Sequence, residues 1–285
     1  MIDRSDKYRK LINAGLEEDI GSGDHSTMSV IPPNTIGRMV LKIKEDGVLA
    51  GMEVAEAVLK TLDPDIKFVA RKKDGDKMVE GEIAFEIEGL VHAMLKGERL
   101  LLNCMQRMSG IATLTSSYVN KLKGYKTRIL DTRKTTPNFR LLEKEAVRIG
   151  GAVNHRFGLY DMIMLKDNHI DFAGGIEKAI LMADDYRHRQ GLDVKIEVEA
   201  RSLEDVVEIC RAGSEIVFRI MLDNFNPDLI VQALQLIDGK FETEASGGIN
   251  LANIESYAAT GVDYVSIGAL IHHAVSLDLS LKAVK

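Results

Sequence analysis

Along the chain the spacing of apolar positions changes rhythm near residue 123. Before that point helical spacing and strict alternation take turns. Lys7 to Glu18 is amphipathic and stops at the turn Gly21-Ser22-Gly23-Asp24. Met39, Leu41 and Ile43 share one face of a strand from Arg38 to Lys44, and Ile83, Phe85 and Ile87 alternate with polar positions further on. A helix over Met52 to Leu62 separates these strand regions, and RKKDGDK at Arg71 to Lys77 reads as a solvated turn. Leu90 to Leu122 gives one or two long helices, on which Leu101, Cys104, Met105, Met108, Ile111 and Leu114 fall close to helical spacing. Methionines in such a stripe make core far more often than a special surface.

From Lys126 the pattern is strand, loop, helix, repeated. Strands are expected at Arg128 to Leu130, Met162 to Leu165, Val194 to Val198, Ile216 to Leu222, Phe241 to Ala245 and Tyr264 to Ile267. Helices are expected between them at Leu141 to Ile149, Gly175 to Arg189, Leu203 to Ala212, Pro227 to Ile237 and Ala252 to Thr260. Apolar strands alternating with helices imply parallel pairing through right-handed crossovers. Such units close into a barrel or lie in an open doubly wound sheet. The residues at successive strand ends, Asp131, Lys166, Glu199, Asp223, Ser246 and Gly268, favour a barrel, whose loops converge on one ligand at the C-terminal face. An open sheet would gather only a few of them at its switch point. No repeat or Pro-rich linker marks the junction, which falls near residues 112 to 125.

Composition narrows the functional classes. With 37 Lys and Arg against 43 Asp and Glu the net charge is −6, which argues against a general nucleic-acid binder. Cys104 and Cys210 have no metal-ligand or CxxC spacing and read as reduced core residues. No apolar run is long enough for a signal peptide or a membrane span, so a soluble, cytoplasmic protein with no membrane partner is expected.

In this acidic chain the segment from Asp131 to His169 concentrates Arg133, Lys134, Arg140, Arg148, His155, Arg156, Lys166 and His169. A solvated basic face is the plain explanation. Two features weigh against it: the cations are interleaved with the turn formers Thr135, Thr136, Pro137 and Asn138, and Lys166 directly follows the apolar run from Met162 to Leu165. Converging cations repel one another unless an anion sits between them, so this pattern points to a polyanion site. Ser246-Gly247-Gly248 and Gly268-Ala269 offer unobstructed backbone amides after consecutive strands, a phosphate site of the kind barrels build there. Glu199 and Asp223 are carboxylates at apolar strand ends, suited to sugar hydroxyls or to a magnesium-bound phosphate; the competing explanation is a structural ion pair with Lys166. Glu197 is the weaker candidate, being further inside its strand. His25, His92, His188 and His272-His273 read as surface or cap residues, and no nucleophile and base pair stands out.

The motifs EDIGSGD, GVLAG, GERLLLNCMQRMSGIAT, DTRKTTP, GGAVNHRFGLYDMIMLKDNH, EVE, MLDNF, EASGGI and SIGAL, in this order, resemble those of the quinolinate phosphoribosyltransferase family across essentially the whole chain. DTRKTTP and NHR with LKDNH are distinctive, whereas SGGI and SIGA fit many barrels. The resemblance implies an α/β sandwich domain over 1–114, with the tail 272–285 packing back on it, and an open, incomplete α/β barrel over 115–271 carrying most of the active site. It implies transfer of the phosphoribosyl group of phosphoribosyl pyrophosphate to the ring nitrogen of quinolinate, with loss of carbon dioxide and pyrophosphate, using magnesium. Arg133, His155, Arg156 and Lys166 would then surround the quinolinate carboxylates, with Arg99 reaching in from the neighbouring subunit of a homodimer or larger assembly. Lys134 would lie between the two substrates, Glu199 and Asp223 would hold ribose hydroxyls and magnesium, and Ser246, Gly247, Gly248 and Gly268 the 5′-phosphate. Lys134, Lys166, Glu199 and Asp223 would be the catalytic set. Asn138 stands where the family often has glycine, a position asparagine tolerates in left-handed backbone. The alternatives are a paralogue acting on another aromatic carboxylate and a non-catalytic phosphosugar-binding protein.

Overall fold

The computed structural model describes residues 4–284, which fall into two compact units. The first gathers the chain up to Ser116, Thr135–Gly151 and the chain from Ile271 onward; the second gathers Ser117–Lys134 and Ala152–Leu270.

The first unit holds β1 (Ile36–Ile43), β2 (Gly47–Val48), β3 (Lys67–Ala70), β4 (Lys77–Met78) and β5 (Ile83–Leu90). The last strand of the chain, β12 (Leu279–Ala283), pairs antiparallel with β1, giving a four-stranded sheet in the order β12-β1-β5-β3. The alternation of Met39, Leu41 and Ile43 against Phe85 and Ile87 buries all five side chains, as period-2 patterning requires. Leu90 to Leu122 becomes one unbroken helix, Val91–Lys121, with Leu101, Cys104, Met105, Met108 and Ile111 buried. Gly51, at φ 101, starts the helix Met52–Leu62 where a Cβ would stand 3.2 Å from the Met105 Cα, so only glycine satisfies both the turn and the approach.

The second unit is the strand-and-helix half. It comprises β6 (Arg128–Leu130), β7 (Ile163–Leu165), β8 (Ile196–Ala200), β9 (Arg219–Asp223), β10 (Glu242–Ser246) and β11 (Tyr264–Ser266), all parallel in the order β6-β11-β10-β9-β8-β7. The first strand pairs with the last, so the sheet curls into a barrel whose seam lies between β6 and β7. On that side β6 meets only a bridge from Leu130 to Val153. Helices Leu203–Ala212 and Pro227–Ile237 coincide with their expected bounds because each has a cap: Ser202 accepts from Asp205 N, and Asn226 precedes a proline at the helix start and accepts from Leu229 N.

Departures from the expected pattern sit at weakly marked ends. Strands β8 and β9 begin two and three residues later than expected, and the helix expected at Ala252 to Thr260 spans only Ile254–Ala258. Short helices at His25–Val30, Asp167–Ala173 and Ala269–His272 were not anticipated. The expected boundary gave the barrel everything from 115 to 271, yet Thr135–Gly151, with the helix Arg140–Ile149, clusters with the first unit. Glu143 explains it. Its buried carboxylate accepts from Arg107 Nε (3.1 Å) and Nη2 (2.9 Å) on the long helix and from the Thr136 amide (2.8 Å). Arg107 also donates to the Ile271 and Ala274 carbonyls, each at 2.8 Å, which ties in the returning tail.

Candidate active site

Successive strands of the barrel deliver Lys166 just beyond β7, Glu199 near the end of β8, Asp223 and Ser246 at the ends of β9 and β10, and Gly268 just beyond β11. Lys166 Nζ lies 3.9 Å from Glu199 Oε2, with the lysine half exposed and the glutamate nearly buried. Burial, then the charge of Asp223, pushes the Glu199 carboxyl above its ordinary range, and Lys166 opposes the shift. Two carboxylates face one another here with too little positive charge between them. Asp223 is held firmly: the Ser246 hydroxyl donates to Oδ1 (2.5 Å) and Asn224 Nδ2 to Oδ2 (2.7 Å). Their oxygens are hard donors, and the surplus of negative charge is what a divalent cation relieves, so the pair fits magnesium.

The turn after β10 needs its glycines. Gly247 is at φ 91, and a Cβ there would stand 2.1 Å from Asn224 Oδ1; Gly248 is at φ 65. The Gly248 carbonyl accepts from Asn250 and Asn253 side chains at 3.2 and 3.1 Å, which turns that oxygen back into the loop. The helices that follow the two glycine loops, Ile254–Ala258 and Ala269–His272, are too short for a sizeable dipole, so an anion at these turns would be met by the loop amides rather than by the helices.

Beside the seam edge of β6, where Val153 bridges to Leu130, the cations converge. Asp131, fully buried, accepts from Asn154 Nδ2 and the His155 amide, both at 2.7 Å, and so pins the NHR segment next to DTRK. Arg156 Nη1 donates to the Met162 carbonyl at 3.1 Å. Burial and then the charge of Arg133 lower the proton affinity of Arg156, so the Arg133 guanidinium lies close enough to disfavour its neighbour's charge. Lys134 is exposed on the same loop, its amide bonded to Thr132 Oγ1.

Below the mouth, inside the barrel, lies a group of residues that sequence reasoning passed over or ranked low: Glu197, Arg219, Glu242 and Glu244. Arg219 Nη1 lies 3.1 Å from Glu244 Oε2 and 3.8 Å from Glu197 Oε2, and Nη2 lies 2.8 Å from Glu242 Oε2. His155 Nε2 comes down to within 3.0 Å of Glu197 and 3.2 Å of Glu244. His155, Glu197 and Glu244 offer three ligand atoms within 4.8 Å of one another, the spacing of a metal site. Arg219 already brings a positive charge to these carboxylates, which offsets part of the charge a cation would otherwise balance. The signal was present in IEVEA and ETEAS, where charges recur every second residue on strands otherwise closed to water.

Some cations of the sequence cluster do other work. Arg148 pairs with Glu145 at 2.5 Å and Arg140 Nε bonds Thr135 Oγ1, both within the first unit. His169 Nδ1 accepts from the Lys166 amide and closes the first turn of Asp167–Ala173. Arg99 is exposed on the long helix of the first unit.

A parallel open barrel with phosphate-compatible glycine loops, a carboxylate pair and a cationic pocket defines a class: enzymes that act on a phosphorylated sugar and an acidic acceptor. Residues 24–109 match the quinolinate phosphoribosyl transferase N-terminal domain and residues 111–282 its C-terminal domain. The chain belongs to the quinolinate phosphoribosyltransferase family. It is 43% identical over 287 residues to the chloroplastic nicotinate-nucleotide pyrophosphorylase [carboxylating] of Arabidopsis thaliana, covering 96% of this chain and 82% of the relative. It is 42% identical over 275 residues to the probable enzyme of that name from Bacillus subtilis, covering 96% and 93%. The crystal structure of NadC from Streptococcus pyogenes superposes with a TM-score of 0.90 at 42% identity, covering 98% of both chains.

Proposed function

We infer that the protein transfers the phosphoribosyl group of phosphoribosyl pyrophosphate to the ring nitrogen of quinolinate with decarboxylation, yielding nicotinate mononucleotide, pyrophosphate and carbon dioxide in de novo NAD biosynthesis. The observation that carries the reading is the placing of Arg156, disfavoured by burial and by the charge of Arg133, with the carboxylates Glu199 and Asp223 in one barrel. A dicarboxylate relieves the arginines, and the positive charge that develops on the sugar as pyrophosphate departs is stabilised by the carboxylates.

Within this reading Arg133, His155, Arg156 and Lys166 hold the two quinolinate carboxylates, Lys134 reaches both substrates, and Ser246, Gly247, Gly248 and Gly268 bind the 5′-phosphate. Magnesium carried by the pyrophosphate would be held by Glu199 and Asp223, and it supplies charge neutralisation on the leaving group. Attack by the ring nitrogen leaves a pyridinium. Loss of carbon dioxide from the adjacent carbon then leaves an electron pair beside that positive nitrogen, which takes a proton from water to give the product, so the protein's share is orientation and charge rather than a general acid and base. Arg99 is assigned to the neighbouring subunit's site in a homodimer, and residence in the cytoplasm is part of the same proposal; among the described residues no helix is long and apolar enough to cross a membrane.

Calorimetric titration tests the assignment of the pocket. Quinolinate binds the wild-type protein and loses most of its affinity in Arg133→Ala, while phosphoribosyl pyrophosphate binding is nearly kept. Equal losses for both ligands contradict the assignment.

A further inference from the structure

Strands β6 and β11 are parallel neighbours, with Leu130 opposite Ser266 and the Ile267 amide donating to the Leu130 carbonyl at 3.0 Å. The loops that follow them therefore leave the sheet side by side at the same end. One loop carries Arg133 and Lys134, the other Gly268. The chain then enters the first unit at Thr135 and again at Ile271, and both segments end on one ion pair, Arg107 with Glu143. Every polar atom of that pair is in use. Glu143 is 0% exposed; its Oε1 accepts from Arg107 Nε (3.1 Å) and Nη2 (2.9 Å) and from the Thr136 hydroxyl (3.0 Å), and its Oε2 accepts from the Thr136 amide (2.8 Å). Arg107 Nη1 and Nη2 donate onward to the Ala274 and Ile271 carbonyls, each at 2.8 Å.

We propose that Arg107 and Glu143 are positioning residues for the transfer reaction: they clamp the far ends of two neighbouring loops, Thr136 of one and Ile271 beyond the other, and so set Arg133, Lys134 and the Gly268 turn for their substrates. The inference deepens the proposed phosphoribosyl transfer and rests on that reading of Arg133, Lys134 and Gly268. A buried ion pair is seldom more stable than apolar residues of the same volume, so stability alone is a weak reason to hold one here. What the pair does supply is direction. A guanidinium fixes its donors in one plane, and here that plane grips a carboxylate on one side and two backbone carbonyls on the other.

The near end of the first loop is fixed separately, at Asp131 by Asn154 and the His155 amide. Within it the Lys134 amide donates to Thr132 Oγ1 and Thr135 Oγ1 accepts from Arg140 Nε at 3.0 Å. Glu143 closes the far end by taking both the amide and the hydroxyl of Thr136, so the backbone that carries the two cations is held on either side of them. In the second loop Gly268 directly precedes the helix Ala269–His272. The last carbonyls of so short a helix need donors from outside it, and Arg107 supplies one to Ile271 and one to Ala274 just past the end. Neither Arg107 nor Glu143 is placed on a substrate; both act through the backbone they hold.

Steady-state kinetics of the full chain, with melting temperatures measured alongside, separate the two arms of the clamp. Thr136→Val removes one hydroxyl from an exposed residue and leaves the ion pair in place. Because small misplacements are costly in a preorganised site, it should raise the quinolinate KM about fivefold or more while the phosphoribosyl pyrophosphate KM moves less than about twofold. Arg107→Met combined with Glu143→Leu removes both arms and keeps apolar volume, an exchange that is often neutral for stability. In that variant both KM values should rise about fivefold or more at a wild-type melting temperature, and adding Thr136→Val should change the quinolinate KM no further. A pair that serves only to hold the fold leaves both KM values at the wild-type level in every variant that melts as the wild type does, and that result overturns the proposal. An equal rise in both KM values for Thr136→Val also overturns it. Should the paired replacement not fold, Thr136→Val decides by itself. If Arg133→Ala leaves the quinolinate KM unchanged, the substrate assignment beneath has failed and the proposal falls with it.

Discussion

Asp223 and Arg156 divide the labour of the site, and single substitutions separate them. Asp223 is held by Ser246 and Asn224 and on the proposed reading faces the sugar, so Asp223→Asn should lower kcat by about a hundredfold or more, the cost typical of losing one preorganised electrostatic contact, with a small effect on the quinolinate KM. Arg156→Ala should do the reverse, raising the quinolinate KM by about ten- to a hundredfold for a lost charged hydrogen bond. Gly247→Ala forces a side chain into the space of Asn224 at a positive φ and should raise the KM for phosphoribosyl pyrophosphate; unchanged kinetics would show that this turn does not hold the phosphate. Asp131, Lys166, Glu199, Asp223 and Ser246 were legible in the sequence because each polar residue interrupts an apolar strand at its end. Glu197, Arg219 and Glu244 were not. Alternation says which residues share a face but not whether that face lies inside a closed sheet, so Glu197 ranked low and Arg219 and Glu244 drew no notice until β6 was seen to pair with β11.

Among the elements, what carried a local chemical signal was found within a residue or two. Ser202, Asn226 and Pro227 fix their helices, and Asn138 adopts the left-handed backbone (φ 62) that its replacement of a glycine implied. What depends on distant partners has no such local mark: the helix Arg140–Ile149 has the spacing of a barrel helix, yet it clusters with the first unit, tied there through Arg107 and Glu143. Glu143 is 0% exposed, so Arg107→Ala would strand a buried carboxylate and should cost about 3 kcal/mol or more in a denaturant titration of the full chain. A midpoint unchanged from wild type would mean that the pair contributes nothing to holding this segment.

For the molecule as a whole, the charged barrel interior predicts how stability depends on pH. Glu197 titrates at about 7 when folded against an ordinary 4.5, and His155 at about 9 against 6.5, so in both windows the native state binds more protons than the unfolded chain. The stabilisation from His155 is complete below 6.5 and is lost as pH climbs through about 9, with Glu197 adding a loss of the same sign between 4.5 and 7. The melting temperature should therefore fall across that range, and His155→Asn should flatten its upper half; a wild-type profile level from 6.5 to 9 contradicts the assignment of the network. Chelating magnesium should abolish turnover while leaving the melting temperature of the substrate-free protein unchanged, since the proposed ion arrives with the phosphoribosyl pyrophosphate.

The most direct test is product formation by purified protein with magnesium and phosphoribosyl pyrophosphate, offered quinolinate or nicotinate and followed for both nucleotide and carbon dioxide. Nicotinate mononucleotide with one equivalent of carbon dioxide from quinolinate, and no product from nicotinate, is the predicted result. Turnover of nicotinate, or nucleotide formed from quinolinate without carbon dioxide, would contradict the account.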